Sequence, residues 1–122
     1  MKTNFEKGRE FEARRRYYWN DRSDVLDVHS DTYGPTDLAI IFKKYSSIET
    51  KVLVIQAKTN GYLSPEERSD LQEFLSYKPD SVGFRVEYLR DSDGGYGHGN
   101  TTYTKIETPD DIDRHAEKIK QR

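Results

Sequence analysis

Three polar side chains, Asp37, Gln56 and Lys58, lie within two short apolar segments of this 122-residue chain. The segments, 36–42 and 52–58, are rich in β-branched and aromatic residues, which is typical of strands. Only a short polar stretch separates them, so they are predicted to form an antiparallel hairpin. Pairing Asp37 with either Gln56 or Lys58 places all three side chains on one face, because side chains alternate along a strand. Burying an acid, an amide and a lysine for packing alone is costly, so the group indicates a functional site.

These groups suit metal-assisted cleavage of a phosphodiester bond, which needs a divalent cation, an activated water and compensation of phosphate charge. Mg²⁺ prefers oxygen ligands and usually takes one or two carboxylates from the protein. Asp37 would supply a carboxylate, while Gln56 and Ala57 would supply a side-chain and a backbone carbonyl. Lys58 would hold or deprotonate the attacking water, and Mn²⁺ would substitute for Mg²⁺. Because glutamine is uncharged, Glu12 is expected to complete the site. An ordinary ion pair at a sheet end is the alternative interpretation.

Eight elements are predicted to position these residues, in the order α-β-β-β-α-β-β-α. A helix is expected from a cap at Thr3 or Asn4 to about Trp19, with strands at 25–30, 36–42, 52–58, 82–89 and 101–106, and with helices at 65–77 and from Thr108 onward. Ser64-Pro65-Glu66-Glu67 is a capping box with proline in the first turn, and its charged residues are interpreted as helix-start residues.

Four further local expectations follow from the same patterns. Phe5, Phe11, Arg15 and Tyr18 are expected near one face of the first helix. Something is expected to pack closely on Gly8, because glycine inside a helix costs about 1 kcal/mol relative to alanine. Segment 31–35 is predicted to be a turn. The glycine-rich segment 91–100 is predicted to be a flexible connection between the last two strands.

Composition limits the class of protein. With 122 residues, 33% of them hydrophobic and 34% charged, the chain is expected to form a single domain, residues 1–122, with a small core. The absence of cysteine excludes disulfides and thiolate metal ligands. No segment approaches the roughly 20 apolar residues of a membrane span, and the N-terminus lacks the apolar segment of a signal peptide. We therefore expect an intracellular, cytoplasmic protein without a membrane partner.

Charge is unevenly distributed along the chain. The net charge of −2 argues mildly against a nucleic-acid binder, but the first twenty residues are locally positive. Lys7, Arg9, Arg14 and Arg15 are expected to contact DNA phosphates. Three consecutive residues on a helix point in different directions, so some of segment 14–19 is expected to belong to the core.

Several segments together resemble the PD-(D/E)xK nuclease superfamily, and within it the small archaeal Holliday junction resolvases. They are Lys7-Gly8-Arg9-Glu10-Phe11-Glu12, Val28-His29-Ser30, Asp37-Leu38-Ala39, Ile55-Gln56-Ala57-Lys58 and Leu71-Gln72-Glu73-Phe74. The resemblance extends to about Leu89. It implies an α/β fold with a restriction endonuclease-like core, in which helices flank a central mixed sheet. It also implies that Glu12 belongs to the metal site and that Ser30 lies near the scissile phosphate.

The resemblance leads us to expect a Mg²⁺-dependent DNA endonuclease, acting on branched DNA as a Holliday junction resolvase does. A homodimer would provide two symmetric active sites for paired cuts. Gln56 stands where the resolvases have glutamate, and Gln-Ala-Lys is instead typical of Mrr-type restriction endonucleases. Two alternatives are therefore a restriction- or repair-type nuclease acting on duplex DNA, and a DNA-binding protein that kept the fold and lost catalysis.

Overall fold

A computed structural model of the chain describes residues 3–33, 36–48, 50–90 and 100–121. Its elements, in chain order, are α1 (Asn4–Asn20), β1 (Val25–Tyr33), β2 (Thr36–Phe42), β3 (Val52–Ala57), α2 (Pro65–Tyr77), β4 (Val82–Leu89), β5 (Thr101–Lys105) and α3 (Pro109–Lys120). The predicted order of elements is confirmed. Apart from Asn100, the glycine-rich segment predicted to connect β4 to β5 lies outside the described residues.

The five strands form one mixed sheet in the order β1-β2-β3-β4-β5. Neighbouring strands are antiparallel except β3 and β4, which are parallel. Parallel neighbours need a crossover connection, and α2 supplies it. In the β2–β3 pair, Leu38 lies opposite Ile55, a register that continues to Asp37 and Gln56. This is one of the two registers predicted from the sequence, and it keeps Leu38, Ile40, Leu53 and Ile55 on the same face of the sheet.

Alternation along the strands divides the apolar residues between the two sides of the sheet. One cluster joins Trp19 of α1 to the sheet and contains Val25, Leu38, Ile40, Phe42, Leu53 and Ile55. The other joins α2 and α3 to the opposite side and contains Ala39, Val54, Leu71, Phe74, Phe84, Val86, Tyr88 and Ile112, among others. The chain is therefore an α/β protein with helices on both faces of a mixed sheet. No helix within the described residues is long and apolar enough to cross a membrane.

Helix α1 buries the predicted face except at Phe5, since Phe11 and Arg15 are buried and Tyr18 is half-buried. Phe11, Arg15 and Trp19 are buried, whereas Phe5 is 71% exposed. The buried residues recur every fourth position and so share one face. Phe5 precedes Phe11 by six residues, which rotates it by roughly a third of a turn away from that face.

Two other local predictions also fail. Apart from its chain neighbours and the backbone of α1 itself, no described atom lies within 4 Å of a β-carbon built on Gly8, so the expected close packing there is wrong. Strand β1 continues to Tyr33, into the segment predicted as a turn, because its pairing with β2 resumes at Tyr33 and Thr36 after an irregularity. Such shifts in register lengthen a strand without requiring regular alternation.

Candidate active site

Asp37 lies at the open end of the β2–β3 hairpin, where the two strands separate. Its Oδ2 accepts a hydrogen bond from the backbone N–H of Ala57 at 2.7 Å. The bond joins the start of β2 to the last residue of β3, so it fixes the carboxylate at the edge where β3 leaves the sheet. Ala57 thus takes part through its N–H, and the predicted role of its carbonyl as a metal ligand stays a prediction.

The environment of Asp37 disfavours its ionised form. Burial raises the pKa of Asp37 to about 6, and the negative charges of Glu12 and Glu67 act in the same direction. The hydrogen bond from Ala57 and the positive charge of Lys58 oppose this rise. Carboxyl groups whose pKa is raised by burial and by neighbouring acids are common in binding and catalytic sites.

The side-chain amide of Gln56 is buried, and within the described residues its nitrogen has a hydrogen-bond partner whereas its oxygen has none. The side chain is only 5% exposed, and its Nε2 donates a long hydrogen bond to Glu67 Oε2 at 3.5 Å. Its Oε1 has no hydrogen-bond partner among the described residues. Leaving a buried acceptor without a partner costs about 1–3 kcal/mol, so an orphaned carbonyl calls for an explanation.

Lys58 and Glu67 form an ion pair beside these two residues. Glu67 is the third helical residue of α2, and its Oε1 also accepts from the Ser64 N–H at 3.0 Å. Burial alone would raise the pKa of Glu67, but the hydrogen bonds from Lys58 and Ser64 hold it below its usual range. The carboxylate therefore stays charged and keeps the Lys58 ammonium close to Gln56.

Glu67 is the residue that sequence reasoning missed. The capping box was interpreted only as a helix start, although that motif itself turns its glutamate back towards Ser64. Because Ser64 follows Lys58 by only six residues, the same turn brings Glu67 to the end of β3. A capping box directly after an apolar strand with a terminal Gln-x-Lys was the available signal.

Glu12 is half-buried on α1, and its charge reaches Asp37. It approaches from the helix that covers the other side of the sheet from α2. Within residues 3–33, 36–48, 50–90 and 100–121, no three acidic, histidine or cysteine residues are grouped closely enough to hold a metal ion. The predicted role of Glu12 as a ligand stays a prediction.

The residues predicted to contact DNA divide into two groups. Lys7, Arg9 and Arg14 are exposed on α1, and Ser30 lies on β1 opposite Leu38. Arg15, in contrast, is buried and forms an ion pair with Glu87 at 2.8 Å. An arginine held in the interior is not available to a phosphate, so we remove Arg15 from the predicted DNA contacts.

Taken together, the open end of the hairpin offers oxygen donors from Asp37 and Gln56, a lysine ammonium and a neighbouring acid. This set can bind a hard cation and can hold or deprotonate a water molecule. Comparison with known proteins adds no family to this description, since no protein-family model, curated protein or solved structure matches the chain.

Proposed function

We propose that this chain is a metal-dependent endonuclease that hydrolyses phosphodiester bonds in DNA, with branched DNA as its substrate. One observation carries the proposal. Asp37, whose pKa is raised to about 6, lies opposite Gln56, whose Oε1 has no hydrogen-bond partner among the described residues. Both groups offer oxygen ligands, and a bound cation would stabilise both the ionised form of Asp37 and the buried carbonyl oxygen of Gln56. The mixed sheet with α1 and α2 on opposite sides supports the same proposal, because a restriction endonuclease-like core has this arrangement.

The residues present fit Mg²⁺ in the chemistry of their donors. Asp37 Oδ2 is engaged by the Ala57 N–H, which leaves the second oxygen of the carboxylate for a cation. Gln56 Oε1 is a neutral oxygen ligand, and water would complete the shell, since Mg²⁺ keeps several waters and needs only one or two carboxylates. When bound, Mg²⁺ or Mn²⁺ would polarise the phosphoryl group and lower the pKa of a bound water.

The side chains of this site have separate tasks. Glu67 orients Lys58 through their ion pair, and Gln56 is oriented by the same carboxylate. As an ammonium, Lys58 would offset phosphate charge and donate a hydrogen bond to the attacking water. As a neutral amine, it would instead accept a proton from that water and become the ammonium. Exposed Lys7, Arg9 and Arg14 on α1 would contact the DNA backbone. A homodimer would present two such sites to a branched substrate.

The test is a cleavage assay with purified protein and Mg²⁺ or Mn²⁺, in which a labelled four-way junction, a flap, a linear duplex and a single strand are compared. Asp37→Asn and Lys58→Ala are expected to reduce cleavage by roughly a hundredfold or more, as loss of one electrostatic group in an active site does. Substrate preference then separates a resolvase from the duplex-cutting alternative.

Lys44→Ala is the matched control, because Lys44 is exposed beyond the far end of β2. It removes the same charge and should leave cleavage at the parent level. Circular dichroism should show that all three variants fold. If Asp37→Asn or Lys58→Ala cuts at the parent rate, or if no substrate is cut with either metal, the proposal fails.

A second candidate function is a DNA-binding protein without catalysis. The Lys58–Glu67 ion pair favours it, because a lysine neutralised by a neighbouring acid is less able to act on a water or a phosphate. Metal titration separates the two functions. A nuclease should bind Mn²⁺ in a manner that Asp37→Asn weakens and Gln56→Glu strengthens by adding a negative ligand. A binding protein would show neither change and would retain affinity for DNA.

A further inference from the structure

A cavity lies on the α1 side of the sheet, away from Gln56 and Lys58. It has a volume of about 500 Å³ and lies between α1, the segment before β3, and strands β4 and β5. Its lining includes Arg15, Arg22 and Arg85, together with the rings of Tyr18, Trp19 and Tyr103. Three arginines beside one cavity raise the question of which of them are already neutralised.

Two of these arginines have carboxylate partners. Arg15 donates to Glu87, and Arg22 donates to both oxygens of Asp24 at 2.9 and 2.8 Å. Their positive charges are therefore balanced within the protein. Burial of such pairs is tolerated because each guanidinium meets a carboxylate through well-placed hydrogen bonds.

Arg85 differs from both. Its guanidinium carbon lies 5.0 Å from the centre of the Trp19 ring and 4.0 Å from that of Tyr103, so the group is held by aromatic rings. Among the described residues, no hydrogen bond or ion pair engages Arg85. Stacking covers the faces of a guanidinium and leaves its N–H donors at the edge, where a planar pair of acceptor oxygens fits.

The surroundings of Arg85 carry a positive charge that the described residues do not balance. Glu87 is the acid whose charge acts most on Arg85, but its carboxylate is already shared by Arg15 and the indole N–H of Trp19. Burial lowers the pKa of Arg85, although arginine keeps its charge at any physiological pH. The hydroxyl of Thr101, which lines the same cavity, has no hydrogen-bond partner among the described residues either.

We propose that this cavity binds an oxyanion, a phosphate or carboxylate group of a small molecule, with Arg85 as its principal ligand. The guanidinium donates two parallel hydrogen bonds to two oxygens of the anion, and Tyr103 and Trp19 hold it in the orientation that this requires. The neighbouring Arg15–Glu87 and Arg22–Asp24 pairs stay intact and exclude a second anion. The site is separate from the proposed nuclease site and does not depend on it.

Trp19 makes the proposal measurable, because it is the only tryptophan of the chain and it packs against Arg85. Inorganic phosphate, methyl phosphate and acetate are titrated at constant ionic strength, with chloride as the reference, while the fluorescence of Trp19 and the thermal unfolding temperature are followed. We expect a saturable change in fluorescence and a rise in unfolding temperature with at least one of the three anions. Comparison of the three anions tells phosphate from carboxylate recognition. If none of them differs from chloride, the proposal is overturned.

Arg85→Met keeps an unbranched apolar stem and removes the guanidinium with its charge, so the affinity for the anion in both measurements should fall roughly tenfold or more. Arg114→Met on α3 is the matched control, since Arg114 is exposed and pairs with Asp111. It should respond as the parent does. Arg85→Lys keeps the charge without the planar fork and should also bind about tenfold more weakly, which covers the case in which the methionine variant does not fold. Parent-like binding by Arg85→Lys would overturn the role assigned to the guanidinium.

Discussion

Two groups of charged residues lie near the end of the β3–β4 pair, one on each side of the sheet, and they are built in opposite ways. On the α1 side, Glu87 is 1% exposed and both of its oxygens accept hydrogen bonds, from Arg15 and from the Trp19 indole. On the α2 side, Asp37 has its pKa raised to about 6, and Gln56 keeps a buried oxygen without a described partner. The carboxylate of the first group has hydrogen-bond partners for both oxygens, whereas Gln56 Oε1 in the second group has no partner among the described residues.

This difference shows that a buried charge is a poor marker of function by itself. Glu87 is the more deeply buried acid, yet its ion pair and hydrogen bonds account for it as a structural residue. Asp37 and Gln56 are arranged at a cost in stability that their contacts within the described residues offset only in part. Proteins accept such a cost mostly at sites where a ligand or substrate later supplies the missing partner.

The largest effect is expected from breaking the satisfied group. Glu87→Ala leaves Arg15 charged and buried without its main partner, which should lower the free energy of unfolding by about 3–5 kcal/mol. Glu107→Ala is the control, because Glu107 pairs with Lys105 on the surface, where such pairs contribute about 1 kcal/mol or less. Urea denaturation followed by Trp19 fluorescence measures both. Equal losses for the two variants would show that the buried group is not structural.

An effect of intermediate size and opposite sign is expected from Asp37→Asn. The pKa of Asp37 rises from 3.8 in the unfolded chain to about 6 in the folded chain, so the folded state holds a proton that the unfolded state releases between these values. Stability therefore falls as the pH rises through this window, by up to roughly 3 kcal/mol, since one pKa unit corresponds to about 1.4 kcal/mol.

Asparagine removes this ionisation and keeps an oxygen for the Ala57 N–H. Without added metal, Asp37→Asn should be more stable than the parent above about pH 7, and the two should converge near pH 4. Urea denaturation at both pH values measures the difference. A difference in stability that does not change with pH would show that folding does not raise the pKa of Asp37.

The smallest effect on stability is expected from Glu67→Gln. It removes the Lys58 ion pair and weakens the capping box, which together should cost about 1 kcal/mol. It also removes a negative charge near Asp37 and frees Lys58, so the pKa of Asp37 should fall below about 6. Glu66→Gln in the same turn of α2 is the control and should leave that pKa unchanged. An NMR titration of the Asp37 carboxyl carbon decides between these outcomes.

Much of the fold follows from short stretches of sequence, because the signals that specify it are local. The capping box at Ser64, the proline after it and the apolar alternation of 36–42 and 82–89 predicted α2, β2 and β4 with their observed bounds. Each of these signals acts over one turn of helix or one strand, so no knowledge of distant residues was needed. The grouping of Asp37 with Gln56 and Lys58 on one face followed in the same way from the hairpin, and the structure decided that Asp37 lies opposite Gln56 rather than Lys58.

The partners of individual polar side chains required the tertiary structure. His115 illustrates this, because its Nε2 donates to the Gly61 carbonyl at 2.7 Å and its Nδ1 lies 2.8 Å from the Thr104 hydroxyl. Nothing near His115 in the sequence indicates these contacts. Arg15 was predicted to contact DNA for the same reason, since its partner Glu87 is 72 residues away.

The sequence by itself determined the order of the elements, limited the hairpin to two registers, and placed an acid, an amide and a lysine at its open end in either register. These depend on periodicity and turn chemistry, which act between residues close along the chain. Only the tertiary structure decided that Glu67 joins them, that Arg15 is buried in an ion pair, and that Arg85 contacts aromatic rings without an ion pair in the described part of the chain. Those outcomes depend on which helix packs on which face of the sheet, and packing joins residues that are distant in sequence.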